Sequence, residues 1–98
     1  MTKPTVHDRY AHQTGRLFED FVVGDIYHHL PGRTISQNDN AWFTLLTMNT
    51  HPLHFDEEYA AATEFGRPLV ASPLTVAIVV GMSVSDVSAT AIANLGWK

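Results

Sequence analysis

An α+β domain is predicted by three features of the sequence. These are a strand-forming stretch closed by Pro31-Gly32, a capped segment with helical spacing after Ser36, and a nearly all-apolar run that opens on Ser72-Pro73. Residues 1–15 mix Lys, Pro, His, Asp, Gln and Thr without period, the composition of a loose N-terminal arm, so the domain is expected over 16–98. In "FEDFVVGDIYHHLPGRTIS" the Phe and Val pairs, Ile26, Tyr27 and Leu30 favour a strand or hairpin broken at Gly24-Asp25. Ser36 with Asp39 three residues on resembles a capping box, and Ala41, Trp42, Leu45 and Leu46 then share one helical face. "FDEEYAAATEFG" has acids in its first turn, a run of alanines and a stop at Gly66, the pattern of a second short helix. Ser72 as N-cap and Pro73 in the first turn start a third helix in "LTVAIVVGMSVSDVS". It is apolar nearly all round, so it must be buried on most sides, with Gly81 its weakest point. "ATAIANLGWK" alternates like a strand and then stops at Lys98.

Composition narrows the function classes. With 98 residues, 45% of them apolar, the chain holds one domain at most. A net charge of -4 and six unclustered Lys and Arg argue against nucleic acid, which is bound by basic patches. Without cysteine there is neither a disulfide framework nor a thiolate zinc site. The N-terminus is polar and the longest apolar run, Val76 to Val80, is far too short to span a bilayer, so a cytoplasmic protein is expected.

Chemistry concentrates in "TMNTHPLHFDEEYA", residues Thr47 to Ala60. His51 and His54 flank Pro52, which removes a backbone donor and disfavours a regular helix at His51. A metal site would enlist His51, His54 and Asp56, but no second ligand cluster exists apart from His28-His29, so no metal is expected. The bland alternative is that Asn49 and His51 cap a turn while His54 sits in a satisfied polar niche.

The order of "NTHPLHFD", an alanine-rich helix, "EFGRPLVAS" and a long apolar helix resembles the MaoC-like hydratase family of hotdog folds, whose signature is Asp-x-Asn-Pro-Leu-His. The resemblance runs from Phe18 to Lys98 and matches the signature at Pro52, Leu53 and His54. "FTLLTMNTHPLHFD", "TEFGRPLV" and "GMSVSD" are similar to the branch that hydrates mesaconyl-CoA or dehydrates methylmalyl-CoA. The resemblance implies an antiparallel sheet wrapped around the helix that starts near Pro73, with further strands needed beyond "IANLGWK". It also implies a homodimer with acyl-CoA bound between subunits, and no cofactor beyond the CoA of the substrate.

By the same resemblance, His54 matches the acid/base histidine, a task suited to imidazole. Asn49 stands in the place of the family's Asp, and an amide orients water but takes no proton at neutral pH. His51 falls where the family has Asn, as a displaced base or as a residue that only hydrogen-bonds the loop. Ser72 takes the place of the oxyanion glycine and offers its backbone N–H, whereas Pro73 has none. Arg33 and Arg67 are candidates for the CoA phosphates or a substrate carboxylate. An acyl-CoA-binding pseudo-enzyme and a hotdog thioesterase remain as alternatives to the hydratase.

Overall fold

The computed structural model describes residues 5–8 and 15–96, in two compact units, Arg33–Val79 and Met1–Gly32 with Val80–Lys98. In the first unit, helix α1 (Gln37–Leu46) starts at the expected capping box: Asp39 N donates to Ser36 Oγ at 3.2 Å and Ser36 N to Asp39 Oδ2 at 2.9 Å. The Ser36 N–H holds the Asp39 carboxyl below its usual range, helped by the Ser36 hydroxyl and the Arg33 guanidinium against a smaller cost of desolvation. Because this pKa is depressed on folding, the cap is fully stabilising above the unfolded-state value and is lost as pH falls through the folded one. Ser36→Ala is expected to cost about 1 kcal/mol, read as a lowered urea midpoint. Its penalty should shrink as acid protonates Asp39, since both substitution and acid then disable the same box.

The end of α1 carries no glycine. Met48 adopts φ 64°, Met48 N donates to Leu45 O and Asn49 N to Thr44 O, both at 3.0 Å. This is a Schellman stop with methionine in the left-handed position glycine usually takes. It directs the chain straight into the Asn49–His54 loop.

The face that α1 buries is not the one its apolar spacing predicts. Asn40 and Thr44 are 1% and 0% exposed, whereas Trp42 and Leu46 are 75% and 74% exposed. Hydrogen bonds from Asn40 bring the polar face inward. Ala41, Trp42, Leu45 and Leu46 with Asn38 line an open groove of ≈ 490 Å³.

Helix α2 (Glu57–Ala61) is shorter than the run to Gly66 suggests. Asp56 caps it through Oδ1, which accepts from Tyr59 N at 3.0 Å. Beyond Ala61 the bonds tighten to three-residue spacing, and the Thr63 hydroxyl donates to Ala60 O at 2.6 Å, so the helix unwinds into turns. Gly66, at φ 72°, closes them.

Helix α3 (Ser72–Ser83) begins one residue before the expected boundary: Ala71 O accepts from Leu74 N and Thr75 N, so Ala71 stands at the capping position and Ser72 is already helical. The helix passes Gly81 without interruption and widens into a π-helical turn over Val84–Ser88. Leu74 is its one buried residue, while Val76 and Val79 are 57% and 58% exposed, so the expectation of burial on most sides is not met among the described residues.

In the second unit, strands β1 (Val6–Asp8) and β2 (Ile26–His28) pair in parallel, Val6 opposite Ile26. The strand at Ile26–His28 lies where sequence placed it. Phe18–Asp20 form a single 3-10 turn instead, because Asp20 Oδ2 takes the Leu17 N–H at 2.8 Å. The antiparallel sheet is therefore not found among the described residues, whose only paired strands are three residues long and parallel. The expected N-terminal arm lies largely outside the described residues, apart from β1. Residues 89–96 form no strand, with Ile92 and Leu95 fully exposed, and among the described residues no strand pairs with them. Asp86 is buried and its carboxylate meets His29 Nδ1 at 2.7 Å. Among the described residues, no helix is long and apolar enough to cross a membrane.

Candidate active site

The loop after α1 is held by its own polar side chains. Asn49 Oδ1 accepts from His51 N at 3.0 Å, and His51 Nδ1 accepts from Leu53 N at 3.2 Å, capping a 3-10 turn at Pro52–His54. Pro52 suits the first position of this turn, where no backbone donor is needed. The two imidazoles lie 5.9 Å apart, and His51 also meets Tyr59 edge-on at 6.1 Å. Thus the bland reading of Asn49 and His51 as turn caps is realised, and among the described residues it leaves Asn49 Nδ2 and His51 Nε2 without a hydrogen bond.

The two histidines carry opposite tautomers when neutral. His54 Nδ1 lies 2.8 Å from Leu69 O, and a carbonyl only accepts, so the proton sits on Nδ1 and Nε2 keeps its lone pair. His51 Nδ1 accepts from a backbone N–H, so its ring proton sits on Nε2. His54 is therefore the base of the pair and His51 a donor. His54 is half-buried and His51 exposed, which sets the basic nitrogen on the better shielded ring.

One residue that sequence reasoning passed over holds this loop in place. Asn40 Nδ2 donates to His54 O at 2.9 Å and Leu69 O at 2.8 Å, while Asn40 Oδ1 accepts from Ala71 N at 3.0 Å. Gln37 Nε2 also donates to His54 O, at 2.9 Å. The signal for Asn40 was slight: a poor helix former inside a helix, one position before an apolar stripe.

The remaining candidates divide. Ser72 N–H makes no hydrogen bond among the described residues, and it follows directly on Ala71, which Asn40 holds. Arg33 is engaged by Asp39 at 2.5 Å and by Thr34 O at 3.3 Å, so an anion there would share it with the cap of α1. Arg67 is exposed and forms no hydrogen bond or ion pair among the described residues. Asp56 is committed to the α2 cap, and no group of three His, Asp or Glu among the described residues is placed to hold a metal ion.

Comparison with known proteins agrees with the motif. A family model described as a MaoC like domain matches residues 20–98. The mesaconyl-CoA hydratase of Cereibacter sphaeroides is 34% identical over 83 residues, covering 85% of this chain and 24% of the relative. The beta-methylmalyl-CoA dehydratase of Chloroflexus aurantiacus is 37% identical over 83 residues, with the same coverages of 85% and 24%. The chain thus spans about a quarter of the length of the curated relatives it matches. No solved structure matches it.

Proposed function

Since the chain belongs to the MaoC-like domain family, we propose that it forms part of a hydratase or dehydratase that adds water to, or removes it from, a short branched enoyl-CoA thioester of the mesaconyl-CoA kind. The observation that carries this reading is the His54 ring, whose Nδ1–H is tied to Leu69 O so that Nε2 is left basic. In hydration, His54 Nε2 takes a proton from water as the water oxygen bonds to the β-carbon. The electron pair of the double bond moves onto the α-carbon and thioester oxygen, and the imidazolium then returns a proton to the α-carbon. The Ser72 N–H is the donor assigned to the charged thioester oxygen. Asn49 Nδ2 and the Nε2–H of His51 are assigned to orienting the water, and Arg67 and Arg33 to the anionic groups of the substrate.

The same reading takes residues 16–98 as hotdog sequence, residues 1–15 as an arm, and the active assembly as a homodimer, with no cofactor besides the CoA of the substrate. The exposed apolar sides of α1 and α3 support it, because a hotdog sheet wraps a helix of this kind. A second reading, an acyl-CoA-binding relative without turnover, is favoured by Asn49, whose amide oxygen is spent on His51 N and has no proton-transfer capacity.

The test is product analysis after incubating the protein at its natural length with mesaconyl-CoA. A hydroxyacyl-CoA one water heavier supports the hydratase, free CoA would make it a thioesterase, and binding without product would favour the second reading. Asn49→Ala is expected to slow turnover by up to about 10-fold, the worth of one hydrogen bond, while keeping the acidic limb of the pH–rate profile. Loss of that limb would make Asn49 part of the proton transfer and overturn its assignment.

A further inference from the structure

Asn40 is almost fully buried, and every hydrogen-bonding direction used by its amide ends on a backbone group outside α1. His54 O belongs to the turn that carries the imidazole, Leu69 O is the acceptor of that imidazole, and Ala71 N precedes α3. Leu69 O receives two donors, Asn40 Nδ2 at 2.8 Å and His54 Nδ1 at 2.8 Å, and the chain at Leu69 is further tied through its N–H to Leu53 O at 3.1 Å. The carbonyl that decides the tautomer of His54 is thus held from α1.

Resting on the reading of His54 as acid/base, we infer that Asn40 is a positioning residue for it. Asn40 holds both the main chain under the imidazole and the carbonyl that the imidazole must meet, and so keeps the proton on Nδ1 and the lone pair on Nε2. The chemistry demands asparagine: the site needs two donors and one acceptor on a short planar group. Aspartate would set a carboxylate against two carbonyl oxygens, and an apolar side chain would leave Ala71 N without a partner and take one of two donors from each of His54 O and Leu69 O. Glutamine would place the same amide one methylene too far from α1. A partner that orients a working imidazole from behind acts on its tautomer and direction without touching substrate.

The experiment uses the protein at its natural length, labelled with 15N-histidine and held at a pH where His54 is neutral. Long-range 1H–15N correlations read the tautomer, and steady-state hydration of mesaconyl-CoA gives kcat and KM. Wild type is expected to show the Nδ1–H form of His54. Asn40→Ala and Asn40→Asp should populate the Nε2–H form and lower kcat by about 10- to 100-fold, with KM changed far less. Asn40→Ser, which keeps one hydroxyl, should fall between them and wild type. Thr44→Ala is the control, since Thr44 is fully buried on the same face of α1 but its side chain makes no bond to the loop; it should leave the tautomer unchanged. An Nε2–H tautomer in wild type would overturn the inference. So would a wild-type tautomer and kcat in Asn40→Ala, or a loss of fold in every Asn40 variant. The tautomer decides the positioning role independently of turnover, so a protein that hydrates nothing would remove the proposed function without altering this result.

Discussion

Replacing His54 with alanine is expected to lower hydration of mesaconyl-CoA by at least ~10²-fold. The expectation follows from the division of labour in the loop. His54 is the one imidazole there whose Nε2 is left without a proton, because its Nδ1–H is spent on Leu69 O. His51 cannot take over without exchanging tautomer, which would turn its Nδ1 from an acceptor into a second donor facing the Leu53 N–H. Asn49 cannot take over at all, since an amide carries no exchangeable acid or base function near neutral pH. His54→Ala should therefore reduce kcat and kcat/KM together and remove the acidic limb of the pH–rate profile. His54→Gln should be nearly as slow, because an amide replaces some hydrogen bonding but no proton transfer. Turnover equal to wild type in either variant would take His54 out of the mechanism.

The second large effect concerns residues 1–98 expressed alone, which are expected to associate and to lack a cooperative thermal transition. The buried apolar side chains among the described residues are Ala60, Ala71 and Leu74. Against these stand Trp42, Leu46, Val76, Val79, Ile92 and Leu95, each more than half exposed. Burying a large apolar side chain contributes ~1.5 to 3 kcal/mol, and a domain is stable by only ~5 to 15 kcal/mol in all. Leaving this many unburied is enough to remove the margin, and contact between copies is then the nearest way to cover them. Sedimentation velocity and calorimetry on the 98-residue chain would read the outcome. A monodisperse monomer with a sharp transition would show that the described packing suffices, and would sink the proposed hotdog arrangement in which a sheet wraps α3.

Much of the site was legible because its signals are local. The Ser36–Asp39 box and the turn at Pro52 are each made by residues within three positions of one another, so spacing alone states the bond. The motif around His54 was likewise legible as a contiguous string. The Schellman stop at Met48 was not, because methionine carries no turn signal and is held in the left-handed region by the two bonds that close the helix.

By itself, the sequence determined the cap at which α1 begins and the start of α3 to within one residue, that the chain carries the MaoC-like motif, and which side chains gather in its loop. These follow from caps, proline and short-range spacing, which act before any long-range contact forms. Only the tertiary structure decided which face of α1 turns inward and which nitrogen of His54 is basic. Asn40 reaches residues 14, 29 and 31 positions away, and His54 meets a carbonyl 15 positions away. An amphipathic pattern shows that a helix has an apolar face, but a buried asparagine with three backbone partners outweighs it, since its own amide and Ala71 N would otherwise lie unpaired out of water. The proton on an imidazole is set in the same way, by whichever partner the fold places against the opposite nitrogen.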